Sequence, residues 1–124
     1  MAEAIARELG GDAVEARSAG IAAVPGNRAT PDAVIAAGER GFDLTAHRAR
    51  RVDDLDLDAY DLIVALAPSL AARLRARLRG EDERLIELDI DDPYGGDLDD
   101  YRRCAAEIES EVRRIVDSIE GDSG

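Results

Sequence analysis

The stretch Asp61-Leu62-Ile63-Val64-Ala65-Leu66-Ala67-Pro68-Ser69 decides the fold. Leu62–Leu66 is a compact apolar run between Asp61 and Pro68, the pattern of a strand buried on both faces. From Ser69 to Arg79 the period changes to helical. Leu70, Leu74 and Leu78 share one face there, and Arg73, Arg75, Arg77 and Arg79 lie largely outside it. Arg84–Leu88 then reads as a second strand. A strand, a helix and another strand in close succession form the unit of a parallel sheet.

The alternation extends in both directions. Met1–Leu9 is a predicted helix that turns Ile5 and Leu9 inward and leaves Glu3, Arg7 and Glu8 for water; Gly10-Gly11 stop it. Ala13–Ala16, around Val14, is a short strand candidate running into Ser18-Ala19-Gly20. Thr30-Pro31 is a cap and first-turn signal for a helix over Pro31–Arg40 that ends at Gly41. Near the C-terminus Leu98, Tyr101, Ala105, Ile108, Val112, Ile115 and Ile119 recur at spacings of three and four. That is a core-facing stripe, and a helix laid on a sheet explains it better than a coiled-coil seam. The expected fold is three-layer α/β/α with a mostly parallel sheet. No repeat, low-complexity segment or Pro/Ser linker divides the chain, so residues 1–124 form one domain.

Composition narrows the function. The formal net charge is -12, from 28 acidic against 16 basic residues, and all the bases are Arg. Such a mean field repels phosphate, so nucleic acid is not an expected partner. A 45% hydrophobic fraction supports a packed core. No apolar run approaches the ~20 residues of a membrane span, so no membrane partner is expected and the expected location is cytoplasmic. The acidity is spread along the whole chain, which suits a protein kept hydrated in a salty cytoplasm better than a dedicated acidic face. Cys104 is the one cysteine, which excludes an intramolecular disulfide and a cysteine-based zinc site. No metal or cofactor is expected.

The segment Ile90-Asp91-Asp92-Pro93-Tyr94-Gly95-Gly96-Asp97 is least easily explained by folding alone. It follows a predicted strand, and α/β proteins gather their sites at such ends. Pro93 pushes Asp92 toward an extended conformation, and the two glycines let the chain turn into the last helix. A carboxyl group held there beside an aromatic ring can protonate a leaving oxygen. Equally, the aspartates can be turn formers and a helix cap, with Tyr94 covering the sheet edge. His47, the one histidine, lies in Thr45-Ala46-His47-Arg48-Ala49-Arg50-Arg51. With no Ser or Cys partner nearby, a structural role suits it better than that of a base. Arg48, Arg50 and Arg51 form a local basic island, with Asp53, Asp54 and Asp56 as the expected counter-charges. Cys104 is followed by Ala-Ala-Glu-Ile-Glu-Ser, without the Gly or Arg that a phosphate-cradling loop needs, so it reads as a structural thiol.

Five segments together resemble the low-molecular-weight protein tyrosine phosphatases: Met1-Ala2-Glu3-Ala4, Ser18-Ala19-Gly20, Gly41 through Arg50, Tyr60-Asp61-Leu62-Ile63-Val64 and Asp92-Pro93-Tyr94-Gly95-Gly96. The resemblance implies a four-stranded parallel sheet in a flavodoxin-like phosphatase fold, and hydrolysis of phosphomonoesters through a cysteinyl-phosphate intermediate. By it, Asp92 matches the general acid, Tyr94 the aromatic wall of the substrate cleft, and Ser18 and His47 supports near the phosphate. The implied partner is a phosphorylated protein or a small phosphomonoester. The family's nucleophile loop, Cys-x5-Arg followed by Ser-Pro, precedes a Met-Ala-Glu-Ala stretch, which here opens at Met1. The expectation is therefore an N-terminally incomplete domain, lacking that loop and a central strand, inactive alone and prone to associate through open strand edges. An upstream start that supplies them is favoured over a noncatalytic relic or partner-binding protein. Protein arginine phosphatases share the Asp-Pro-Tyr-Gly-Gly form and remain an alternative. Arsenate reductases need more thiols than Cys104 supplies and rank below both.

Overall fold

The computed structural model describes residues 1–11, 15–19, 26–78 and 82–122. The α-helices and strands among them are α1 (Ala2–Gly10), α2 (Pro31–Glu39), β1 (Ile63–Ala65), α3 (Pro68–Leu78), β2 (Leu85–Glu87) and α4 (Leu98–Asp122), with short 3-10 turns at Val52–Asp54 and Leu57–Ala59. Ala13 and Val14 of the first strand candidate, and Gly20 and Arg79, lie outside the described residues.

The unit that decides the fold forms as expected. β1 and β2 pair in parallel, with Ile63 opposite Leu85, Val64 opposite Ile86 and Ala65 opposite Glu87. The pairing extends past both strand ends, from Ile63 N–H to Arg84 C=O (2.9 Å) and from Leu88 N–H to Ala65 C=O (2.8 Å). α3 is the crossover. Pro68, read from sequence as a boundary of the strand, is its first residue, where a missing N–H costs nothing. Ala71 and Leu74 of α3 pack with Ile63, Ala65, Val52 and Leu57 into one apolar cluster.

A second, larger cluster holds α1, α2 and α4 together around Ile5, Phe42, Leu44, Ile90 and Ile108. Helix α2 starts and stops as its sequence dictates. Thr30 caps it by accepting from Ala33 N–H (3.3 Å), and Gly41 follows with φ +90°, letting Phe42 N–H return to Ala37 C=O at 2.9 Å. Phe42 and Leu44 are thereby driven into the core, and the 45–50 segment leaves at a fixed angle.

Among the described residues the main contacts of α4 are with α1 and α2, and Leu66, Leu88 and Ile90 at the strand ends belong to the same apolar cluster. One expectation about this helix is corrected. Its buried face is Tyr101, Cys104, Ala105, Ile108, Val112 and Val116, whereas Ile119 is 37% exposed. A helix of ~3.6 residues per turn drifts about 20° per heptad against a three-and-four pattern. Over the length of α4 the inward position passes from the Ile115 register to Val116. No described helix is long and apolar enough to cross a membrane.

Candidate active site

Glu3 was placed in water by the helical pattern; the structure buries it at 6% exposure. It occupies the first turn of α1, and its Oε1 accepts from Ser18 N–H (2.7 Å), Ser18 Oγ (3.2 Å) and Arg50 Nη1 (2.7 Å). Its Oε2 lies 3.4 Å from Arg7 Nη1 and 4.0 Å from His47 Nδ1. One carboxylate thus gathers two residues singled out in the sequence, Ser18 and His47, and two guanidinium groups. Periodicity could not reveal this, because the amphipathic pattern reports which face of a helix is apolar and not which acid finds a distant Arg.

The electrostatics follow from that geometry. Burial alone pushes the Glu3 carboxyl pKa up, but the hydrogen bonds from Arg50 and Ser18 N–H and the charges of Arg7 and Arg50 outweigh it, so the net shift is downward. Glu3 is ionised at neutral pH. His47 is shifted below 6.5, first by burial and then by the Met1 amino group, Arg50 and Arg7; the Glu3 carboxylate opposes them. The imidazole is therefore neutral at neutral pH. Glu3, Arg7, Phe42, Asp43, His47 and Arg50 are among the residues lining a cavity of about 330 Å³.

Arg50 corrects a second expectation, since it pairs with Glu3 rather than with the aspartates that follow it. Arg48 turns onto its own loop and donates to Thr45 C=O (3.3 Å) and His47 C=O (2.7 Å). That loop is shaped by Asp43, whose Oδ1 accepts from Thr45 N–H (2.8 Å) and Thr45 Oγ1 (2.6 Å).

Asp92 and Tyr94 stand on the loop between β2 and α4. Asp92 Oδ1 accepts from Tyr94 N–H at 3.0 Å, and the Tyr94 ring is 80% exposed. Gly95 takes φ +84°, and Gly96 N–H reaches back to Pro93 C=O at 2.8 Å. A Cβ on Gly96 would sit 2.9 Å from that same carbonyl and collide with the Asp100 carboxylate. Beyond the turn, Asp97 and Asp100 cap each other's backbone N–H, at 3.0 and 3.1 Å, and start α4. The aspartates form the turn and the cap, as one reading of this segment has it, while the Tyr94 ring is exposed rather than laid over the sheet edge.

Among the described residues no hydrogen bond or ion pair joins this loop to the Glu3 joint. Cys104 is within electrostatic reach of Asp92. The Cys104 thiol is buried in α4, and its pKa is raised, chiefly by burial. That is the opposite of what a nucleophilic thiolate needs.

Comparison with known proteins addresses the same elements. Residues 1–123 match the sequence profile described as low molecular weight phosphotyrosine protein phosphatase. A protein-arginine-phosphatase of Bacillus subtilis is 30% identical over 134 residues, covering 98% of this chain and 89% of its own length. The probable low molecular weight protein-tyrosine-phosphatase EpsP of Ralstonia solanacearum is 34% identical over 126 residues, covering 96% of this chain and 86% of EpsP. A low molecular weight protein tyrosine phosphatase crystal structure from T. tengcongensis superposes with a TM-score of 0.82 at 29% identity, over 94% of this chain and 88% of that one. The parallel sheet with its flanking helices is thus consistent with the flavodoxin-like phosphatase fold, and the chain belongs to the low-molecular-weight phosphotyrosine protein phosphatase family.

Proposed function

We propose that this chain carries the general-acid half of a phosphomonoester hydrolase site that acts on phosphorylated protein. The observation that carries the reading is the Asp92 loop. Asp92 Oδ1 is held by Tyr94 N–H at 3.0 Å; the carboxyl group stands exposed on the loop after β2, and the Tyr94 side chain two residues on is exposed as well. In the mechanism that family membership suggests, a cysteine thiolate attacks phosphorus while protonated Asp92 gives its proton to the departing oxygen. The Asp92 carboxylate then takes a proton from the water that attacks the phosphocysteine, releasing phosphate and the free thiolate. Tyr94 walls the substrate group. Ser18 and His47 hold the segments beside the phosphate.

The nucleophile in this scheme is not Cys104, which is buried in a helix with a raised pKa. It belongs to a Cys-x5-Arg segment of the kind that precedes Met-Ala-Glu-Ala in the family. The 124-residue polypeptide assayed alone is therefore expected to leave p-nitrophenyl phosphate intact, and the same polypeptide preceded by such a segment is expected to hydrolyse it. In the extended chain Asp92→Asn lowers kcat about 100-fold with an aryl phosphate whose leaving group needs a proton. Vanadate-sensitive turnover by the 124 residues alone, or an Asp92→Asn variant as fast as its parent, would overturn the assignment.

Phosphoarginine is the second substrate reading. It is favoured by the 30% identity to a protein-arginine-phosphatase across nearly the whole chain. Parallel assays of the extended chain on phosphotyrosine and phosphoarginine peptides decide between them.

A further inference from the structure

We infer that Glu3 is a positioning residue: its buried carboxylate joins Ser18 and Arg50 to the first turn of α1 and thereby sets the place of His47 in the site. The catalytic consequence rests on the phosphatase reading above; the joint itself does not.

Acidic side chains are rarely this buried unless they are paired. Glu3 is paired several times over. Oε1 takes three donors, two from Ser18 and one from Arg50, and Oε2 faces Arg7 and His47. The partners of Oε1 lie 15 and 47 residues away along the chain. What the carboxylate joins is three separate segments that meet at the N-terminal end of α1, where the helix end itself favours a negative charge.

The grip is transmitted. Arg50 and His47 belong to one loop, pinned at its start by buried Leu44 and by the Asp43–Thr45 bonds, with His47 N–H donating to Leu44 C=O at 3.1 Å. Holding Arg50 at 2.7 Å closes the other end of that loop and fixes the imidazole between. The charged groups that face His47 are the Met1 amino group, Glu3 and Arg7 of α1, and Arg50 of its own loop; Glu8, Asp43 and Arg48 line the same cavity. Of those that shift the His47 pKa, Glu3 is the one that favours imidazolium, and Arg50 is among those that oppose it. Losing Glu3 and losing Arg50 are therefore expected to move His47 in opposite directions.

The test uses the 124-residue chain first. Its single histidine gives one imidazole Cε1–H resonance to titrate by NMR, in the parent, Glu3→Gln and Arg50→Gln. The expected result is a downward shift of the His47 midpoint in Glu3→Gln and an upward shift in Arg50→Gln. If Glu3→Gln does not fold, Arg50→Gln carries the test alone, since it leaves Ser18 on the carboxylate. In the chain extended by a Cys-x5-Arg segment, Glu3→Gln is expected to lower kcat about tenfold or more on p-nitrophenyl phosphate, with KM changing less than kcat, because misplaced supporting groups cost the chemical step. A His47 midpoint that stays put in every variant that folds overturns the inference, and so does an extended Glu3→Gln enzyme with the parent's kcat. Failure of the phosphatase reading looks different, because the extended parent itself would then be inactive before any substitution at Glu3.

Discussion

The two parts of the proposed site are held by opposite means. The Glu3 joint is buried and draws together segments 15 and 47 residues apart. The Asp92 loop is exposed and is held by bonds spanning two or three residues: Tyr94 to Asp92, Gly96 to Pro93, and Asp97 with Asp100. A joint of the first kind exists only while the whole helical cluster is folded, because its members have no reason to meet in an open chain. A loop of the second kind depends on its own sequence and on the helix it starts. The stable half can thus orient charge, and the self-contained half can present a carboxyl group to a substrate without bearing weight in the core.

That contrast is broken most severely from beneath the joint. Ile5 is fully buried two residues beyond Glu3, among the contacts of α1 with α4. Ile5→Ala should cost about 3 kcal/mol, measured as a fall in the urea midpoint at unchanged slope. If the joint depends on α1 as argued, the same variant also loses the parent's His47 chemical shift. A large stability loss with an unchanged His47 environment would show that the joint forms without α1.

Removing the carboxylate itself comes next. Glu3→Ala strands a half-buried guanidinium and the Ser18 N–H, an expected loss of about 2 kcal/mol. The cost is kept below that of a fully buried pair because Arg50 is 37% exposed and reaches solvent.

Acid should find the joint as well. The folded-state pKa of His47 lies below its reference of 6.5, so the unfolded chain takes up that proton first. Its contribution to stability is complete above 6.5 and is lost as pH falls through the folded value. The Glu3 pKa is likewise depressed from 4.5, so its contribution holds above 4.5 and disappears as pH drops through its lower folded value. Urea midpoints should therefore decline in two stages on acidification, and Glu3→Gln should remove the lower one. At the edge of the sheet, Asp82, held by Arg84 and lowered to about 2, keeps its charge through most of that range.

The same contrast explains what the sequence disclosed. Apolar runs, caps and turn glycines act over a few residues, so Leu62–Leu66, Thr30-Pro31, Gly41 and the Asp92–Gly96 turn could each be read where they stand. The parallel pairing followed from strand, helix and strand in sequence. Glu3 could not be read, since a polar residue opposite Ile5 and Leu9 looks the same whether it faces water or a guanidinium from residue 50. The drift of the α4 stripe toward Val116 was missed for a related reason: a spacing rule carried over several turns accumulates the difference between its period and the helix's own.

The smallest effect is expected where the chemistry is proposed. Asp92→Ala removes a carboxylate whose one bond is to the N–H two residues on, and Tyr94→Ala removes a ring that is 80% exposed. Neither leaves a buried donor or a cavity, so each should change stability by under about 0.5 kcal/mol. Gly96→Ala is the contrasting substitution in the same loop, because its Cβ would press on Pro93 C=O at 2.9 Å and collide with the Asp100 carboxylate that caps α4. A urea series on the three variants tests whether the loop is held by its backbone turn and cap alone. Near-parent stability for Asp92→Ala and Tyr94→Ala, with a clear loss for Gly96→Ala, is the expected pattern. A loss for Asp92→Ala matching that of Glu3→Ala would mean that the exposed carboxylate bears structural load, and the division between a supporting half and a presenting half would fall.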